Sequence, residues 1–269
     1  MMPEKRFDDL EFVVRWEVAT GDELPDPLIF TTDITDGDEY EATKRRLRDR
    51  LASESDDTID NLLQVLARPD LAVRVAGGDP RAPEDAAAVI RIYAARRGDQ
   101  AFVVKQLPGR TIWHAGGFVV TACDPVMLAD AVVGVLPQVD AGRRPATELP
   151  SRREGASNGL DYSYGRSSFR DDDEDSVTQQ AEVFRRLPAS AAGVIEIVQG
   201  ESSFGPRGRV HRRLLWRDIV DDGRYAIVGD NPRIAKGVDA KRLVHLINEE
   251  IEEVQLVIDD EHRTLRRSV

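Results

Sequence analysis

Apolar residues repeat at helical spacing in two places in the first half of the chain. Ile59, Leu62, Leu63 and Leu66 recur at i, i+3, i+4 and i+7, which predicts an amphipathic helix that Pro69 ends. A second stripe follows Asp124 and Pro125, a pair typical of a first helical turn, and consists of Leu128, Ala131, Val132, Val135 and Leu136. Between these helices, apolar alternation predicts a strand meander over residues 71–75, 89–93, 102–104 and 112–122.

The same order of elements returns in the second half. Ser176 and Gln179 fit a capping box, and the helix after them would bury a face made of Val177, Ala181, Phe184 and Leu187. Strands are predicted over residues 194–198, 210–219 and 225–228, with a turn-rich loop over residues 200–208. Asp239 is the predicted N-cap of a long last helix, whose core face holds Leu243, Leu246, Ile247, Ile251 and Val254.

This repetition predicts two halves of one domain, residues 1–137 and 175–269, joined by an acidic flexible connector over residues 138–174. The connector lacks apolar periodicity and is longer than an ordinary compact loop. Two such units most simply join edge to edge into one sheet, leaving one broad sheet surface free. We therefore predict an α+β fold, a quasi-two-fold duplicated unit around a central twisted antiparallel sheet.

Composition narrows the classes of partner. A formal net charge of -12 repels phosphate backbones, so we expect no nucleic acid partner. No stretch approaches the roughly 20 apolar residues of a membrane span, and the first residues do not resemble a signal peptide. With a single cysteine that cannot form an internal disulfide, these features predict a cytoplasmic protein with no membrane insertion.

Catalytic signatures are not evident. The four histidines, His114, His211, His245 and His262, stand singly, without metal-ligand spacing, so no metal site is expected. Gly77-Gly78 and Gly116-Gly117 do not form a phosphate-binding motif, so we expect no cofactor. One enzymatic alternative stays open, in which Cys123 is a nucleophile served by His114 near Asp124, although Cys123 also fits simple packing at a strand end.

Residues 10–30 hold a Trp-Glu pair and a Pro-x-Pro-Leu turn, here Trp16, Glu17, Pro25, Pro27 and Leu28. Three further segments are distinctive, namely residues 62–75, residues 94–104 and the C-terminal stretch from "DDGRYAIVGD" to "NEEI". Together these segments resemble the EspG family, the chaperones of actinobacterial type VII (ESX) secretion. By period alone the first segment fits helix or strand, and the resemblance favours helix.

The resemblance implies a non-catalytic protein with helical bundles on its sheet. It would bind the hydrophobic tip of a helical substrate, a PE-PPE heterodimer or a WXG100-like pair, and would be a monomer or weak homodimer. It also implies contact through the loop of residues 78–85 and through the sheet beside the C-terminal helices, although this loop lacks a large apolar residue. The candidate partner-binding residues are Asp79, Arg81, Glu84, Phe204, Val210, Leu214 and Trp216.

Two alternatives remain at this stage. Leu214 and Trp216 are also consistent with plain core positions. A dimeric scaffold that uses the same sheet surface for self-association is the alternative function, ahead of the enzyme.

Overall fold

A computed structural model describes residues 4–54, 56–150, 172–229 and 232–267. These residues form six α-helices and ten β-strands. Across the same ranges, none of the helices combines the length and apolar character that a membrane span requires.

The first half consists of a short strand, three helices, an antiparallel meander of four strands and a fourth helix. Its elements are β1 (Lys5–Phe7), α1 (Asp9–Thr20), α2 (Gly37–Ser53), α3 (Asp57–Ala67), β2 (Leu71–Gly78), β3 (Ile90–Arg97), β4 (Gln100–Pro108), β5 (Ala115–Cys123) and α4 (Leu128–Gly134). The predicted stripe of α3 is buried at all four positions, because its apolar face packs on β3 and β4. The first segment is helical in α1, as the resemblance implied.

The second half repeats that order. Its elements are β6 (Thr147–Leu149), α5 (Asp172–Arg186), β7 (Ala189–Gln199), β8 (His211–Ile219), β9 (Gly223–Val228), β10 (Arg233–Gly237) and α6 (Ala240–Arg267). The Asp239 carboxylate accepts a hydrogen bond of 2.7 Å from the backbone N–H of Arg242, which confirms the predicted cap of α6.

All ten strands belong to one antiparallel sheet, in the order β1-β5-β4-β3-β2-β7-β8-β9-β10-β6. The halves meet where β2 pairs with β7, from Leu71 opposite Gln199 to Gly78 opposite Ala192. From this central pair, each half runs outward through its remaining strands in chain order, and a short strand closes each edge. The predicted edge-to-edge joining of two units is confirmed.

Helices lie on both faces of the sheet. On one face, α4 and α6 cover a core that crosses the junction of the halves and includes Val73, Ile195 and Trp216. On the other face, α1 and α3 cover the outer strands of the first half, and α5 covers the outer strands of the second half. The prediction of one wholly free face is therefore wrong, and only the middle of this second face lies between its two helical layers.

The predicted connector is also shorter than expected. Before Pro150, β6 pairs with β10, and the backbone N–H of Gly142 donates to the Arg224 carbonyl at 2.9 Å, so residues 138–150 lie along the second half. The rest of the predicted connector, residues 151–171, lies outside the described residues. Because α5 begins at Asp172, Ser176 is inside the helix and the predicted capping box is wrong.

Candidate partner-binding surface

The loop between β2 and β3 holds three of the predicted site residues, and two of them, Asp79 and Arg81, are hydrogen-bonded to each other. Arg81 donates to the Asp79 carboxylate from Nε at 3.0 Å and from Nη2 at 2.6 Å. These hydrogen bonds hold the pKa of Asp79 below its usual value. Glu84 is exposed near the end of the loop. The loop offers charge to a partner but no large apolar side chain.

Phe204 lies on the equivalent loop of the second half, between β7 and β8, and is 74% exposed. Glu261 of α6 fixes this loop, because its carboxylate accepts hydrogen bonds from the Ser202 hydroxyl at 2.8 Å and the Ser203 backbone N–H at 2.8 Å. Val210 at the end of the loop is partly buried against the core.

The two loops lie at opposite ends of the sheet. Because β2 and β7 are antiparallel, the loop after β2 and the loop after β7 are separated by the length of the strands, about 23 Å at 3.3 Å per residue. A single compact site therefore does not contain Asp79, Arg81 and Glu84 together with Phe204.

Leu214 and Trp216 are core residues, which corrects their prediction as surface contacts. They are 2% and 1% exposed and belong to the core under α4 and α6. The Arg224 guanidinium also lies over the Trp216 ring, 5.3 Å from the ring centroid. Neither side chain is accessible to a partner, so the alternative interpretation, that both are packing residues, describes them correctly.

The opposite side chains of the same strands form an open surface. We call it the central strip, defined by Arg74, Ala76, Val194, Glu196, Arg213 and Leu215. The strip residues are partly exposed, or well exposed for Arg213, whereas the residues that alternate with them, such as Ile195 and Leu214, are buried. The central strip is the part of the second sheet face that lies between α3 and α5.

Two cross-strand rows make up the central strip. Ala76 pairs with Val194 and Val194 pairs with Leu215, which gives an apolar row. Arg74 pairs with Glu196 and Glu196 pairs with Arg213, which gives a charged row beside it. The Arg213 guanidinium contacts the Glu196 carboxylate at 2.7 Å. The central strip therefore joins an apolar band to an excess of positive charge, in a protein whose net charge is -12.

The residues of the central strip are not among the predicted site residues, although the sequence contains a signal for them. In β8, period-2 alternation places Leu215 and Arg213 on one face and Leu214 and Trp216 on the other. The pattern does not state which face the helices cover, and the large apolar residues were assigned to the open face. Arg74 and Glu196 were the available markers of the open face, because a charged residue inside an otherwise apolar strand avoids the core.

The groups of the enzymatic alternative do not converge. His114 precedes β5 and Cys123 ends it, so about 30 Å separate them at roughly 3.3 Å per residue. Burial, with a smaller effect of Asp124, raises the pKa of the Cys123 thiol to about 11, so the thiol is protonated near neutral pH. His114 instead contacts Thr111 and Asp33, at 2.7 Å and 3.2 Å. Among the described residues, no group of three His, Cys, Asp or Glu side chains is placed to hold a metal ion.

Comparisons with known proteins place this fold in a family. The model of the EspG family matches residues 8–249. A search of curated proteins gave no significant match. Among solved structures, the chain is similar to the Mycobacterium tuberculosis type VII secretion system chaperone EspG5 in complex with a PE25-PPE41 dimer, at a TM-score of 0.52 and 11% identity, over 90% of this chain and 93% of that chain.

Proposed function

Because this chain belongs to the EspG family, we propose that it is a chaperone of type VII secretion that binds the apolar tip of a helical substrate pair. The substrate we propose is a PE-PPE heterodimer, as in the complex of the similar EspG5 structure, with a WXG100-like pair as the second candidate. The chain would keep this pair soluble in the cytoplasm and direct it to its secretion system.

The observation that carries the proposal is the apolar row of the central strip, which the helices of the protein leave partly exposed, although Leu215 also packs against the core under α5. Its three strands span about 10 Å between the outer strand axes, at roughly 4.8 Å per strand spacing. An α-helix with its side chains is about 10–12 Å in diameter. The helical layers of α3 and α5 stand on either side, so the width of the surface matches the end of one helix.

The physical role of such a surface is to remove apolar area from water. An exposed apolar helix tip drives self-association, and a standard interface covers about 800 Å² per partner. The gross gain is roughly 25 cal/mol per Å², although ordering and desolvation cancel most of it. The net result is an affinity that permits release, which suits a protein that passes its cargo to a secretion machine and performs no bond chemistry. The separation of His114 from Cys123 supports this non-catalytic proposal.

Co-expression with a PE-PPE pair from the same genome tests the proposal. We expect the pair and the chain to elute together in size exclusion. Leu215→Asp places a carboxylate in the apolar row and should weaken the complex at least about a hundredfold, because a partner would bury that charge unpaired. Val194→Asp should have the same effect.

The matched control is Leu256→Asp on α6. Leu256 is 59% exposed but lies on the helix that covers the opposite sheet face, so this variant should bind as the wild type does. Circular dichroism of each variant checks folding. A pair that stays insoluble with the wild-type chain, or binding that Leu256→Asp abolishes and Leu215→Asp does not, contradicts the proposal.

A dimeric scaffold is the second candidate function, and it would use the same strip. Static light scattering separates the two. We expect a monomer or weak homodimer, whereas a tight homodimer that resists dilution and loses its dimerisation in Leu215→Asp would favour the scaffold.

A further inference from the structure

Arg74 stands on β2, at the first-half edge of the central strip, with part of its hydrogen-bonding capacity unused. Its Nε is buried and has no hydrogen-bond partner among the described residues. Buried donors of this kind are rare in folded proteins, because an unmade hydrogen bond to a charged group costs free energy. Because Nε itself is shielded from solvent, an acceptor on a partner would approach the rest of this partly exposed side chain.

The cross-strand neighbours of Arg74 are already engaged. Glu196 accepts from Arg213 Nη2 at 2.7 Å and from Arg213 Nε at 3.2 Å. The hydroxyl of Tyr93, on the other side, donates to the Leu66 carbonyl at 2.9 Å. Burial raises the pKa of Tyr93 to about 12, although Arg74 and Arg209 lower it, so the hydroxyl stays neutral and provides no negative charge.

The same sheet face shows what an arginine in such a position binds. Arg217, two residues beyond Leu215, points its guanidinium at the C-terminal end of α5. It donates to the carbonyls of Phe184 at 3.1 Å, Arg185 at 3.4 Å and Leu187 at 2.7 Å. The last four carbonyls of a helix lack partners inside the helix and carry partial negative charge, which suits a guanidinium.

We infer that Arg74 binds the C-terminal carbonyls of the partner helix whose apolar tip covers Ala76, Val194 and Leu215. This inference rests on the proposed function and adds the polar half of the contact. The apolar row contacts the side chains of the last turn of the partner helix, and the Arg74 guanidinium donates hydrogen bonds to the carbonyls that this turn leaves unpaired. Charge complementarity thereby selects the end of a helix over its side, since the side presents no free carbonyls.

The test is a titration of the purified chain with a PE-PPE pair from the same genome. Arg74→Met keeps the apolar stem and removes the donors, and should weaken binding about tenfold to a hundredfold, as expected for loss of charge-assisted hydrogen bonds. Arg74→Lys keeps the charge but lacks the planar guanidinium with its several fixed donors, and should lose nearly as much. The matched control is Arg242→Met, an exposed arginine on α6, the helix that covers the opposite sheet face, and it should change binding less than about threefold.

Thermal unfolding separates a binding role from a structural one. Arg74→Met should leave the Tm of the free chain unchanged or higher, because it removes an unsatisfied buried donor. A lower Tm with unchanged binding would overturn the inference. A second outcome would also overturn it. If Arg74→Met weakens binding to the wild-type substrate but not to a substrate whose tip carboxylates are changed to amides, the acceptor of Arg74 is a carboxylate side chain and not a helix carbonyl.

The two proposals fail in different ways. If the wild-type chain binds the pair, Leu215→Asp does not, and Arg74→Met binds like the wild type, the chaperone function stands and the role of Arg74 is wrong. If the wild-type chain binds no pair, the proposed function fails and the inference fails with it.

Discussion

A buried ion pair lies where the second half meets the segment before β6. Arg224 is 2% exposed and donates to the Asp218 carboxylate from Nε at 2.7 Å and from Nη2 at 2.8 Å. Nη2 also donates to the Pro137 carbonyl at 2.9 Å. A buried ion pair contributes little compared with an apolar pair of the same shape, but loss of one partner leaves the other charge stranded.

Asp218→Ala should therefore lower the free energy of unfolding by about 3–5 kcal/mol, measured by urea denaturation. Glu196→Ala removes the carboxylate from an ion pair whose arginine is 62% exposed, and should cost less than about 1 kcal/mol. If Asp218→Ala and Glu196→Ala lower the free energy of unfolding by the same amount, burial does not make the Asp218–Arg224 pair more important than an exposed pair.

At the residue scale, the sequence predicts which residues share a strand face better than it predicts which face is open to a partner. The alternation in β8 correctly separated Leu214 and Trp216 from Leu215, because a strand has two faces. The alternation could not indicate that α6, which starts more than twenty residues after Trp216, covers the face with Leu214 and Trp216. The free Nε of Arg74 depends on what its cross-strand neighbours bind, and no local pattern contains that information.

At the scale of elements, the loop that carries Phe204 depends on one carboxylate of the last helix. Burial raises the pKa of Glu261, but hydrogen bonds from Ser203, Ser202 and Gln199 outweigh this effect and leave the pKa below its usual value. The loop is thus held by a group that binds best when ionised. Its contribution to stability is present above the unfolded pKa, about 4.3, and is lost as pH falls through the lower folded value.

Hydrogen exchange of the Ser203 amide should report this directly. Its protection factor should be constant near neutral pH and should fall on the acid side of the ordinary carboxyl pKa, because protonated Glu261 is a poorer acceptor. In Glu261→Gln, protection should be lower at neutral pH and should not depend on that titration, while a sheet amide such as Val73 stays unchanged. Protection at Ser203 that increases on acidification would contradict the assignment.

Elements with a strong apolar period were predicted well, and elements without one were missed. The stripes of α3 and α6 are buried as expected because each packs a whole face on the sheet. Helix α2 buries only Leu51 and shows no stripe, so its pattern resembled a solvated segment. Strands β6 and β10 are three and five residues long and exist by pairing with each other and with β9, which a local pattern does not reveal.

At the scale of the whole molecule, duplication explains both the sheet and its open middle. Each half brings helices to the second face, and they bury the Ala72 end of the β2–β7 junction but leave the part with Arg74 and Ala76 only partly covered. The sequence predicted the repeated order and the edge-to-edge joining. The layout of helices on two faces depends on the path of α6 across the junction, which only the folded chain shows.

The most direct test of the account is hydroxyl-radical footprinting of the full chain, alone and with a bound PE-PPE pair. The central strip should be the covered surface, so labelling of Leu215 and Val194 should fall on binding, while labelling of Leu256 on the opposite side stays the same. Unchanged labelling of Leu215 and Val194, with protection at Leu256 instead, would contradict the claim that the uncovered middle of the sheet receives the helix tip.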